Sequence, residues 1–177
     1  DAADSSFQSF YREEPIRKIE SETFFPSTDS DYNDRINLIS GLGQTIYSYC
    51  PLPAGTAGNT AESSLLLTDG KRAANPSYTD SAYFKFGSGE GRDVIFDFGA
   101  TATVDGFSLS FLRETPVGIN SISSVLFYLS ENGVDWYAVK AAVLPSEQDT
   151  EFLRFDYTLD ETYKARFARF SFRVWPN

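Results

Sequence analysis

The stretch "TVDGFSLSFL" (103–112) sets Val104, Phe107, Leu109 and Phe111 against polar neighbours at close to every second position. A period of two is the signature of a strand with one buried face. The pattern recurs. "QTIYSY" (44–49) reads as a strand, as does "DVIFDFG" (93–99), which ends on a glycine. "AYFKF" (82–86) alternates, and "EFLRFDYTL" (151–159) and "ARFARFSFRVW" (165–175) close the chain. "SSVLFYLS" and "DWYAV" flank Asn132-Gly133, a strong short hairpin signal. With "LLLTDGK" (65–71) and the loops between, this gives roughly eight or nine short strands and no sustained helical period, the pattern of an all-β sandwich or barrel.

The chain has 177 residues, enough for one domain with a sizeable core. Residues 1–36 differ in character. They hold 9 acids against 4 bases, with Pro15 and Pro26 as breakers, and read as an acidic N-terminal extension or linker that packs on the edge of a domain spanning 37–177. Phe24 and Phe25 are its expected docking points.

Composition closes several routes to function. Histidine is absent, which excludes Ser–His and Cys–His nucleophile systems and histidine-bearing zinc sites. A single cysteine, Cys50, can build neither a thiolate zinc cage nor an intramolecular disulfide. A bound metal would need oxygen ligands, which points to calcium. The formal net charge of −10 argues against nucleic acid and anionic membrane lipid as partners and favours a neutral or calcium-bridged ligand. No apolar run is long enough to span a membrane as a helix.

Six segments fall in a familiar order: "NLISGLGQTIYS", "LLLTDGK", "AYFKF", "RDVIFDFGATATVDGFSLSFL", "SVLFYLSENGVDWYAV" and "YKARFARFSFRV". Together, over about residues 37–175, the chain resembles the galactose-binding-like superfamily that includes discoidin and coagulation-factor C-type domains. Within it the chain is most similar to bacterial family-32-type carbohydrate-binding modules. The resemblance implies a jelly-roll β-sandwich of two antiparallel sheets, a ligand site on loops at one end, and a structural calcium near the Asp-Gly turn. The sequence departs from the usual Asp-Gly-Asp, having Asp69-Gly70-Lys71, and no completing acid is evident near the C-terminus.

The loops supply the candidate site. Asp69 is either a calcium ligand or the acceptor of its own Asx-turn. The polar loop "NPSYTDSAY" (75–83) offers Tyr78, Asp80 and Tyr83, combining aromatic faces with hydroxyl and carboxylate partners for a sugar. In "LRETPVGINS" (112–121), Arg113, Glu114 and Asn120 can donate to and accept from vicinal hydroxyls. "GSGEGR" (87–92) reads as a hairpin turn, since no helix follows to make a phosphate cradle. Arg169 and Arg173 are expected on a solvated face of the closing strand, and Trp136 in core packing across from Phe127 or Leu129.

These readings converge on a non-catalytic carbohydrate-binding module of a secreted or cell-surface bacterial protein, joined to other domains of a larger chain. The alternative is a protein-interaction or assembly domain of the same fold. Carboxylate pairs suited to glycoside hydrolysis are not marked out among 25 acids.

Overall fold

The computed structural model describes residues 12–13, 22–23, 36–48, 65–86, 91–119, 122–143 and 152–174. The strands are β1 (Arg12–Glu13), β2 (Glu22–Thr23), β3 (Thr45–Ser48), β4 (Gly91–Leu112), β5 (Ile122–Ser130), β6 (Asp135–Val143) and β7 (Phe152–Val174). They pair in the order β1-β6-β5-β7-β4-β3, with β2 also on β6. The contacts of β1 and β2 with β6 are parallel, at Glu13↔Trp136 and Glu22↔Ala142 among others. All other pairings are antiparallel.

Two pairs of expected strands are in fact single long ones. The segments 93–99 and 103–112 are both within β4, and 151–159 and 165–175 join as β7. The β4–β7 ladder slips register between Asp97 and Ala102 and again between Val104 and Gly106. Register slips of this kind bend and twist a strand pair. The bend doubles the ladder over on itself. Phe107 pairs with Tyr157, while Phe170 pairs with Val94 far along the same ladder. Their rings nevertheless lie 5.9 Å apart, and Phe107 also meets Phe127 at 4.7 Å. The two layers of this all-β sandwich are therefore two halves of one ladder, packed face to face.

The core fills the space between the layers. Ile46, Val94, Phe96, Val104, Phe107, Val125, Phe127, Leu129, Phe170 and Phe172 are all buried there. Aromatic rings dominate it, with Phe127 stacked on Phe170 at 4.8 Å and Phe111 edge-on to Phe172 at 5.5 Å. Each fully buried ring stabilises the fold by roughly 1.5–3 kcal/mol relative to exposure.

Other expectations are corrected. Residues 82–86 form turn and irregular chain, not a strand, and so do 65–71. Phe84 and Phe86 still pack on the core, so their alternation reflects one-sided burial without a ladder partner. The hairpin at Asn132-Gly133 forms, but through the four residues between Ser130 and Asp135. A two-residue type I′ turn needs positive φ at both central positions. Here only Gly133 has it, at 75°. Side chains close the turn instead: Ser130 Oγ accepts from the N–H of Gly133, and Asn132 Oδ1 accepts from those of Val134 and Asp135.

Trp136 is buried, 1 % exposed, but on the face away from Phe127 and Leu129. It packs with Tyr128 and Phe167. Arg169 is not solvated: it is 1 % exposed, its guanidinium carbon 3.9 Å from the Tyr128 ring centroid and 5.0 Å from that of Trp136. Arg173 is exposed. Trp175, Cys50, Phe24 and Phe25 lie outside the described residues.

Candidate functional site

The ladder defines which loops share an end. Gly91 pairs with Arg173, and Ile122 with Val174, so the start of β4, the start of β5 and the end of β7 meet at one end of the sandwich. The loop from Leu112 into β5 rises there. It contains a 3-10 turn, Thr115–Val117, with Pro116 inside it. Gly118, at φ 83°, reverses the chain in a conformation that other residues adopt at a cost. Glu114 and Ile119 then exchange main-chain hydrogen bonds of 2.9 and 3.1 Å, closing the loop at its base.

The second loop, residues 72–86, folds around one carboxylate. Asp80 Oδ2 accepts from the N–H groups of Ala74 and Asn75, at 3.0 and 3.2 Å, and Oδ1 accepts from that of Ala82 at 3.0 Å. Ser77 O accepts from the N–H of Asp80 as well. An Asp that gathers successive N–H groups fixes a loop that has no ladder to hold it. The Ala82 N–H, with those of Asn75 and Ala74, holds the Asp80 carboxyl below its ordinary value. It remains ionised, the reverse of what a general acid requires.

The two loops are joined. The Tyr78 N–H donates to Glu114 Oε2 at 2.7 Å. Tyr83 stands close to both carboxylates. Burial first, then the charges of Asp80 and Glu114, push its hydroxyl above the ordinary tyrosine value. It stays protonated, and its O–H donates a hydrogen bond to Asn75 O at 3.3 Å. Above this braced base, the Tyr78 side chain is 43 % exposed. The Lys85 Nζ lies 5.7 Å from the centroid of its ring.

Of the residues expected at a site, Tyr78, Asp80, Tyr83 and Glu114 come together. Arg113 precedes Glu114 at the end of β4 and is half-buried. Asn120 lies outside the described residues. Asp69 is apart from them in its hydrogen bonding: its Oδ1 accepts from the N–H of Lys71 at 2.8 Å, an Asx-turn. Among the described residues no group of three or more Asp, Glu or Cys gathers to hold a metal ion. Without a carboxylate cluster, a calcium ion at Asp69 would need main-chain carbonyls and water for most of its ligands. Lys85 is the residue missed. Its place in an alternating pentapeptide made it look like the outward side of a strand, and only the irregular path of 82–86 carries it to Tyr78.

The chemistry offered is that of binding: an exposed aromatic face, an ammonium beside it, and carboxylates and amides held in place by the main chain. Fold and site together define an all-β sandwich with a braced loop surface at one end. Solved structures of this fold include CpGH89CBM32-6 produced by Clostridium perfringens, 16 % identical, covering 79 % of this chain and 90 % of that chain with a TM-score of 0.51. Chitosan-binding module 2 from a chitosanase/glucanase of Paenibacillus sp. IK-5, solved with chitotriose, is 14 % identical over 78 % of this chain and 88 % of that one, TM-score 0.47. CpGH89CBM32-5 of Clostridium perfringens, in complex with GalNAc-beta-1,3-galactose, is 13 % identical over 76 % and 84 %, TM-score 0.45. At 16 % identity the likeness to CpGH89CBM32-6 is one of fold. No protein-family model matches the chain, and no curated protein matches it.

Proposed function

We propose that the chain is a non-catalytic carbohydrate-binding module that holds a glycan on the loops 72–86 and 112–119. The observation that carries this reading is the Tyr78 ring, exposed on a loop fixed from beneath by Asp80 and tied to the neighbouring loop by Glu114. A fixed aromatic face packs against the C–H groups of a sugar at low entropic cost, and nearby polar groups orient its hydroxyls. The shared fold with a family-32 module supports the same reading. A shallow surface buries little area, so single-site affinity is weak and useful binding comes from other modules of a larger chain. The setting that suits this is a secreted or cell-surface bacterial protein.

Calorimetry against a broad set of glycans tests the function. Binding by the full chain that Tyr78→Ala abolishes without lowering the melting temperature supports it. Absence of binding across the set removes it. Calcium at Asp69, completed by main-chain carbonyls, is a separate proposal. A melting temperature that rises with calcium in the parent but not in Asp69→Asn would support it, and one that does not rise would end it.

A second reading has one specific observation in its favour. Leu65, Leu66 and Leu67 are 45, 37 and 38 % exposed in succession. Such a run suits contact with a neighbouring domain, the assembly role. Self-association or co-purification with a flanking domain, lost in Leu65→Ser/Leu67→Ser, distinguishes it from glycan binding.

A further inference from the structure

The overall charge of −10 favours neutral ligands, but the loop end does not share that charge. Residues 65–86 and 112–119 carry four bases, Lys71, Arg72, Lys85 and Arg113, against three acids, Asp69, Asp80 and Glu114. Each of the three acids is engaged by main-chain N–H groups: Asp69 by Lys71, Asp80 by Ala74, Asn75 and Ala82, and Glu114 by Tyr78. Their negative charge is partly offset by amide dipoles, and their capacity to accept from a ligand is reduced. Two of the cations, Lys85 and Arg113, are not used in the same way. Lys85 projects over the Tyr78 ring, and the half-buried Arg113 stands next to Glu114 in the chain. Among the described residues, neither Lys85 nor Arg113 has a carboxylate within ion-pair distance.

A neutral sugar needs acceptors as well as donors around its hydroxyls, whereas an acidic sugar needs donors and positive charge. We infer that this end takes an anionic saccharide, one carrying carboxylate or sulfate, with its ring on Tyr78 and its anionic group at Lys85. This rests on the reading that the loops 72–86 and 112–119 bind glycan. Arg113 is the second cation placed to engage such a chain. A polymer of positively charged amino sugars is the disfavoured ligand, because the carboxylates that would receive it are already engaged.

The test uses the full chain and isothermal titration calorimetry. Three oligosaccharides of matched length are compared at low and high salt: a uronate, a sulfated one and a neutral one. The expected result is that at least one anionic oligosaccharide binds about tenfold more tightly than the neutral one at low salt, with the advantage shrinking as salt rises. Lys85→Gln lowers the affinity for the anionic oligosaccharide about tenfold and abolishes its salt dependence, and Tyr78→Ala removes binding of all three. The two anionic arms show which anion is preferred. Equal or tighter binding of the neutral sugar, without salt dependence, overturns the inference and leaves the glycan reading standing. Failure to bind any of the three, followed by failure across the broad glycan set, counts against the glycan reading itself. Unchanged melting temperatures for both variants keep loss of fold from imitating either outcome.

Discussion

Arg169 carries a formal charge into a nearly solvent-free place. Its neighbours on β7, Ala168 and Phe170, face the core, so alternation puts it on the other face of the sheet. That much is legible from the chain, and it suggests solvent. Register decides otherwise. Arg169 pairs with Tyr128 of β5, and Trp136 of β6 lies beyond, so two rings flank one guanidinium. Which side chains become neighbours across three strands follows from the pairing of residues distant in sequence, and no local pattern contains it. A planar guanidinium stacks on rings where a lysine ammonium does not, and a desolvated cation–π contact is worth about 2 kcal/mol. Arg169→Lys is therefore expected to lower stability by about 2 kcal/mol, read as a shift in urea midpoint at constant slope. A midpoint equal to the parent's would show that the charge, not the plane, is what the site uses. Tyr78 and Asp80 show the same limit. Both were legible as loop residues with binding chemistry, but the structure turns the Asp80 carboxylate toward main-chain amides and leaves the Tyr78 ring outward.

Strands were easier to find in the sequence than loops, for a physical reason. A strand reports its buried face by period two, whereas a loop is fixed by individual hydrogen bonds whose partners can be anywhere. The residues of β3 and β5 follow the expected runs closely, while β6 starts with its run at Asp135 and continues past it to Val143. The joining of two runs into β4, and of two into β7, was not legible, because the bend between them reads as a turn in sequence. Loop 72–86 depends on Glu114, a residue 36 positions along the chain from Tyr78. This yields a prediction about the element. Glu114→Ala removes the acceptor of the Tyr78 N–H, a charge-assisted bond whose net worth is about 1.5–3 kcal/mol. The cost falls on the loop, since the bond braces the loop and not the core. Amide exchange at Tyr78 should accelerate and glycan affinity should fall severalfold, with little change in the global melt. Glu114→Gln keeps an acceptor oxygen and should keep most of both. Loss of affinity equal in the two variants would mean that Glu114 touches the sugar itself rather than bracing the loop.

At the scale of the whole molecule, acid stability joins the two ends of the sandwich. Asp80 sits in loop 72–86. Asp97 sits at the bend of β4, where its two oxygens accept from Arg166 Nε at 2.8 Å and Nη2 at 2.9 Å. The Arg166 hydrogen bonds, then the Gly99 N–H and the Arg166 charge, hold the Asp97 carboxyl below its ordinary 3.8. Asp80 is held below the same value chiefly by the Ala82 N–H. A carboxyl whose folded pKa is lowered binds fewer protons folded than unfolded between the lowered value and 3.8. The stability it contributes is complete above 3.8 and is lost as pH falls through the folded pKa. A second effect runs the other way. The chain carries −10 at neutral pH, and protonating its many other carboxylates relieves that self-repulsion. A stability curve of the parent alone mixes the two. The difference between parent and Asp97→Asn does not, because the variant keeps nearly all of the repulsion and lacks only this carboxylate. Urea midpoints measured from neutral pH downward should therefore show a gap in favour of the parent that is constant above about pH 4 and closes below it. Both side chains of the pair are exposed by more than two-fifths, so the gap is small. A gap that stays open at the lowest pH would assign it to lost hydrogen-bond geometry at the bend. No gap at any pH would mean that the Asp97–Arg166 pair is a surface ornament and that the β4 bend is held by its backbone alone.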